Sequence, residues 1–191
     1  MRGMYNKLPR SVYIKKEKFI INTDYRIFID FEEGMQEQGD KQVILKTLKS
    51  FYPAFFKIIR ENLLVEAVDK FLWFYNCGKE QEEINNKSTK GNTKRAFSYK
   101  HDDLYIWGEF YKNYGVDLTK DYIHWWKFKA MWLTLPSDCE FNKIKGYRTY
   151  KGKDKDIIEL QNFYKLPLSK EELKDKIRRE KIYEALKWKR W

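Results

Sequence analysis

The sequence predicts a mainly α-helical protein with a small β-hairpin at its N-terminus, its helices forming a bundle in one body or two lobes. Three observations carry this. Most of the chain repeats its apolar residues at three- and four-residue steps, the period of a helix with one buried face. Short β-rich runs cluster only at residues 12–21. A polar stretch at 79–98 separates two apolar segments, each long enough for several helices.

The elements follow in order. Val12-Tyr13-Ile14 and Phe19-Ile20-Ile21 flank Lys15-Lys16-Glu17-Lys18 and read as the hairpin. Asn22-Thr23-Asp24 can cap a helix over 25–37, with Tyr25, Phe28, Ile29 and Phe31 inward. Residues 41–51 form the next, with Val43, Ile44, Leu45 and Leu48 apolar. Pro53 suits the first turn of a helix over 53–76, where its missing N–H costs nothing. Phe55, Ile58, Ile59, Leu63, Val68, Phe71, Leu72 and Tyr75 keep one helical period across it.

Residues 79–98 hold only Ile84, Ala96 and Phe97 as apolar side chains, too few to offset the entropy of ordering the segment. They read as a flexible basic linker or surface loop. Asp102 or Asp103 starts a helix through Tyr114, and Gly115 suits a left-handed stop. A helix over 120–134 is apolar almost all round, and Leu135-Pro136 ends it. Ser137 caps a helix over 138–146, and a charged helix covers 154–164. Ser169 and Glu172 match a capping box opening a last charged helix over 170–188. The organisation is therefore 1–78 (hairpin plus helices), 79–98 (linker), 99–168 (C-terminal helical lobe) and 169–191 (charged helix).

Composition narrows the class. Apolar residues make up 42% of the 191, too many for a disordered chain. No apolar run reaches the ~18 residues of a membrane span, and MRGMYNKLPR leads into no secretory leader. Cys77 and Cys139 are too few for a disulfide scaffold. With only His101 and His124 beside them, no zinc-binding spacing occurs and no metal or other cofactor is expected. No serine sits in a GxSxG elbow, and no phosphate-binding Gly loop is present. Glu172-Leu173-Lys174, with Asp154 and Asp156 upstream, falls on a helix where its residues diverge, unlike nuclease carboxylates on a strand. The expectation is a non-enzymatic protein.

The net charge of +11 raises nucleic acid as a partner. Residues 1–22 carry six basic side chains against one acidic, and residues 151–191 carry 13 against 8. The middle is near neutral, and acids are interspersed among the C-terminal bases. This is a solubilising coat more than a phosphate-tracking stripe, so nucleic acid is disfavoured. Trp188, Lys189, Arg190 and Trp191 form the one basic-aromatic patch.

The most informative segment is His124-Trp125-Trp126-Lys127-Phe128. Adjacent tryptophans in one helical turn point about 100° apart, so one can fill the core while the other meets a second surface. His124 and Lys127, three apart, would share a narrow polar strip. These five residues are the candidate protein-interaction site, against the plainer alternative of a core helix with a satisfied histidine.

At this segment the chain resembles the bacteriophage gene-product-fifteen family of tailed-phage proteins. The resemblance rests on Leu8-Pro9, the two hairpin runs through Arg26, Tyr114-Gly115-Val116-Asp117-Leu118, Tyr122 through Phe128, Leu135-Pro136, and Ile144 through Tyr147-Arg148. The linker is more basic than the family's, and 169–191 extends past its usual Leu-Pro ending. The resemblance implies a helical, non-enzymatic tail assembly protein, a chaperone or accessory factor for tape-measure and tail-tube assembly. It would act in the host bacterial cytoplasm by protein–protein binding, with no catalytic residues to carry over. A homo-oligomer is compatible with it. A basic nucleic-acid-binding protein and a minor structural component of the virion tail are the alternatives.

Overall fold

The computed structural model describes residues 8–37, 41–79, 95–168 and 170–187. Among them are one two-stranded antiparallel sheet and nine helices. β1 (Ser11–Ile14) pairs with β2 (Glu17–Ile20) in the register Val12 opposite Phe19. The loop shrinks to Lys15-Lys16, and Glu17 and Lys18, expected in the loop, join β2. Lys15 adopts φ 53°, the left-handed geometry that two-residue hairpin loops need. Val12, Ile14 and Phe19 face the core while Tyr13 and Ile20 face outward.

α1 (Tyr25–Glu37) starts where Asp24 accepts the Arg26 amide through Oδ1 at 3.0 Å. α2 (Lys41–Phe51) buries Val43, Thr47, Leu48 and Phe51, whereas Leu45 stays exposed. The two helices meet at Gly34, where a Cβ would stand 2.7 Å from Val43 Cγ1. Only glycine permits that approach.

The long helix expected over 53–76 is two: α3 (Phe55–Arg60) and α4 (Leu64–Tyr75). Asn62 sits at φ 52°. The Leu63 amide donates to the Ile58 carbonyl at 2.9 Å and the Asn62 amide to Ile59 at 3.1 Å, the paired bonds of a Schellman ending. Buried Ile58 and Leu63 supply the apolar contact that accompanies it. Both helices bury against the same core, so the apolar period runs on through the break. Pro53 lies in the turn before α3. α4 ends the same way, with Cys77 at φ 56°, its amide on Phe74 and that of Gly78 on Trp73.

α5 (Asp103–Tyr114) stops at Gly115, φ 65°, as expected. α6 (Trp125–Leu133) starts five residues later than the pattern suggests, because Asp24 and His124 form an antiparallel bridge that holds this stretch extended. α7 (Glu140–Thr149) starts after Cys139, not after a Ser137 cap. Its first amide donates instead to Glu109 Oε1 of α5 at 3.0 Å, an anion placed at a helix N-terminus. α8 (Lys155–Phe163) is capped by Asp154, which accepts from Asp156 and Ile157. α9 (Lys170–Lys187) follows. Ser169, linker residues 80–94 and the patch Trp188-Lys189-Arg190-Trp191 lie outside the described residues. The end of the expected linker belongs to the body: Ser98 is buried and Phe97 packs at an angle to Trp132 and edge-on to Phe141.

One contiguous core runs from Val12 to Phe141 and joins the two apolar segments. Phe28, with no exposed surface, is its hub, and Phe51, Phe71, Phe74, Tyr75 and Trp125 ring it at centroid distances of 4.7–6.5 Å. Burying one such aromatic ring is worth about 1.5–3 kcal/mol. No helix among the described residues is long and apolar enough to cross a membrane.

Candidate functional site

The residues His124 to Phe128 form the N-terminus of α6, and nearly every polar atom there is used to tie three segments together. The backbone pairing around Asp24 and His124 has two bonds. The Tyr25 amide donates to the Ile123 carbonyl at 3.0 Å and the Trp125 amide to Thr23 at 2.8 Å. α1 and α6 therefore start side by side.

His124 is the N-cap of α6. Its Nδ1 accepts the Trp126 amide at 3.1 Å, and its Nε2–H donates to the Pro9 carbonyl at 3.0 Å. One tautomer satisfies both bonds: neutral, with the proton on Nε2. Burial, helped by the nearby positive charges of Arg10 and Lys127, pushes the His124 pKa down. Neutral histidine is the form the cap requires. Lys127 is exposed while His124 is buried, so the polar strip expected between them does not form.

The two tryptophans act as a pair. Trp125 Nε1–H donates to the Tyr75 carbonyl and Trp126 Nε1–H to the Phe74 carbonyl, both at 2.8 Å. These are successive carbonyls in the last turn of α4, where a helix leaves carbonyls short of intrahelical donors; the Phe74 carbonyl also takes the Cys77 amide of the helix ending. Trp125 is fully buried on Phe28 and Phe128, and Trp126 is half-buried beside Trp73 and Phe74. Phe128 is buried against Tyr25 and Phe110.

Around this seam Arg26 pairs with Asp24 at 3.0 Å and donates to the carbonyls of Leu118 and Asp121. Thr23 and Tyr122 share a hydroxyl–hydroxyl bond. Below it, Glu32 accepts from Tyr75 Oη at 2.9 Å and lies 3.8 Å from Lys129 Nζ, which sits over the Trp125 ring. Burial raises the Tyr75 and Tyr99 hydroxyls beside Glu32 and raises the Cys77 thiol, so Cys77 is held as a thiol. Both nitrogens of His124 are committed to backbone groups. Among the described residues no group of three or more His, Cys, Asp or Glu is placed to hold a metal ion.

Sequence reasoning missed a buried ion pair. Arg148 of α7 grips Asp102 with two bonds, 2.6 and 2.7 Å, and both side chains are buried. Arg148 also donates to the carbonyls of Tyr164 and Ala96, and Asp102 accepts the Ser98 amide. A signal existed: Arg148 continues the apolar face of Phe141 and Ile144, where a charge needs a partner. Glu109 was legible in the same way, between Ile106 and Phe110.

Outside the core, several large apolar side chains remain exposed, among them two groups in the N-terminal part of the chain. Tyr13 and Ile20 occupy the outer face of the hairpin. Phe56 and Ile59 stand on the outer side of α3 and Val65 at the start of α4, Phe56 with 76% of its surface open. Lys49 Nζ lies 5.8 Å above the Phe56 ring.

No curated protein and no solved structure gives a match. The family described as Bacteriophage Gp15 protein does match, over residues 4–171. That span takes in the hairpin, the whole aromatic core, the α6 seam and the Asp102–Arg148 pair, and it reaches the first turn of α9. The chain belongs to the bacteriophage Gp15 protein family.

Proposed function

We propose that this phage protein is a non-enzymatic tail assembly factor, a chaperone or accessory protein that binds tape-measure and tail-tube proteins in the host cytoplasm. The observation that carries the reading is the apolar surface left outside a satisfied core. Phe56, Ile59 and Val65 contribute little to the interior, and exposed groups of this kind mark protein contacts. Their setting supports an amphipathic helical partner. Lys49 lies over the Phe56 ring and exposed Arg60 follows Ile59 in α3, so acidic flanks on a partner helix would find counter-charges. The α6 motif then serves the role by holding the body together, leaving binding to the surface of α3 and α4.

Co-expression with the tape-measure and tail-tube proteins of the same phage, followed by pull-down, tests this. Capture of at least one is expected. The Phe56→Ser/Val65→Ser variant should lose it while keeping its denaturation midpoint. Monodisperse protein that captures neither refutes the reading. A labelled-DNA shift that weakens steeply with salt would instead favour nucleic acid.

A further inference from the structure

A second surface has a different character. On α5, Leu104, Trp107, Gly108 and Tyr111 fall at the positions that share one helical face. Leu104 is 75% exposed, Trp107 38% and Tyr111 57%, while Ile106, Glu109 and Phe110 on the other side are buried. Trp107 is held in place. Its Nε1–H donates to Asp117 Oδ1 at 3.1 Å, and its ring stacks on Tyr111 at 5.8 Å with 25° between planes. The pair forms a rigid aromatic shelf, the kind of anchor that dominates interfaces.

Gly108 sits beside that shelf in the middle of the helix. Glycine disfavours helix interiors, and nothing within this protein requires it there. A Cβ at 108 would meet no atom within 4 Å. The missing side chain leaves a gap that the monomer does not use, next to a projecting ring. Charges bracket the stripe, with exposed Asp103 in the first turn and exposed Lys112 in the last.

We propose that this stripe is a self-complementary surface that docks a second copy of the same chain through an antiparallel α5–α5 contact. A two-fold axis between positions 107 and 108 sets Trp107 over Gly108 of the second copy. The same axis sets Leu104 against Tyr111 and Asp103 against Lys112. Each contact then occurs twice, ring into gap, aliphatic onto aromatic and acid against base, as an isologous interface requires. A parallel pairing would oppose Trp107 to Trp107 and Asp103 to Asp103. The match of each half of the stripe to the other half selects a second copy over a foreign helix. One helix pair is smaller than a standard interface, so the dimer is a weak and reversible one.

Sedimentation velocity of the full chain over a dilution series tests this without any tail protein, so it succeeds or fails apart from the assembly role. A reversible monomer–dimer equilibrium is expected. A Cβ at 108 is unobstructed and leucine is the better helix former, so Gly108→Leu should keep or raise the denaturation midpoint while weakening the dimer at least about tenfold, since it fills the gap that receives the ring. Asp103→Lys should weaken it comparably, and Asp103→Lys with Lys112→Asp should restore it, because the charges then pair in reverse. A monomer at every concentration overturns the proposal. So does a dimer indifferent to Gly108→Leu, or a charge reversal that fails to restore. A monomer that binds a tail protein through Trp107 would assign the stripe to a foreign helix and also overturn it.

Discussion

Replacing Asp102 with alanine is expected to be among the most damaging single changes in this protein. The Asp102 side chain has no exposed surface and that of Arg148 only 7%. Two short bonds join them, and Asp102 also takes the Ser98 amide at 2.9 Å. Removing the carboxylate leaves the guanidinium buried with its charge uncompensated, which costs about 3–5 kcal/mol. The Ser98 amide loses its partner too, but the two losses share one group and do not add. The carbonyls of Tyr164 and Ala96 still accept from Arg148, which keeps the cost inside that range. For a chain of this size the loss corresponds to a fall of roughly 6–20 °C in melting temperature. Urea unfolding of Asp102→Ala, Arg148→Met and Asp102→Leu/Arg148→Met gives the comparison. The double variant should be more stable than Asp102→Ala, because apolar side chains of similar volume often replace a buried pair at little cost. An Asp102→Ala cost under about 1 kcal/mol, or a double variant as unstable as the two losses summed, would refute an uncompensated charge as the cause.

Three other predictions use the same denaturation assay. His124 titrates lower in the folded protein than its ordinary 6.5, so the unfolded chain binds the extra proton first. Stability should therefore fall as pH drops below about 6.5 and level off below the folded pKa, and His124→Asn should remove that component; a pH profile unchanged by the substitution counts against the cap. Trp125→Phe takes the indole donor from the Tyr75 carbonyl and should cost about 1–3 kcal/mol, and Trp126→Phe less, because the Phe74 carbonyl keeps the Cys77 amide; a neutral Trp125→Phe would show that the Tyr75 bond contributes nothing. Asn62→Ala should cost about 1 kcal/mol while Asn62→Gly does not, since only the alanine resists the left-handed backbone there.

Much of the fold was legible. The hairpin, α1, α2 and α5 begin and end close to their expected limits, because each is bounded by a local chemical signal: a β-rich run, an Asp cap, a Gly stop. The departures have two causes. Asn62 divides one periodic stretch into two helices that bury against one core, so the period carries no trace of the break. α6 starts late because residues 23–25, a hundred positions earlier, claim the backbone of 123–125. α7 takes its cap from Glu109 on another helix, not from the neighbouring Ser137. Local caps and stops show in the sequence; long-range pairing decides where α6 and α7 begin. The candidate site was located by its residue types, but its internal bonding was not. Two adjacent tryptophans advertise either a core or an interface, and only the positions of the Phe74 and Tyr75 carbonyls reveal what the indoles donate to.

The bridge between Asp24 and His124 also governs when this protein can finish folding. Residue 124 leaves the ribosome after residue 24 by a hundred residues of synthesis, about 5–20 s at ~5–20 residues per second. Throughout that interval Phe28, Phe51, Phe71 and Phe74 are already made, while Trp125 and Phe128, which cover one side of their cluster, are not. The nascent N-terminal half therefore carries an open aromatic face until the α6 sequence arrives. Production of this chain is expected to be most prone to aggregation during its own translation, and a slower translation rate or a lower temperature would prolong that exposure.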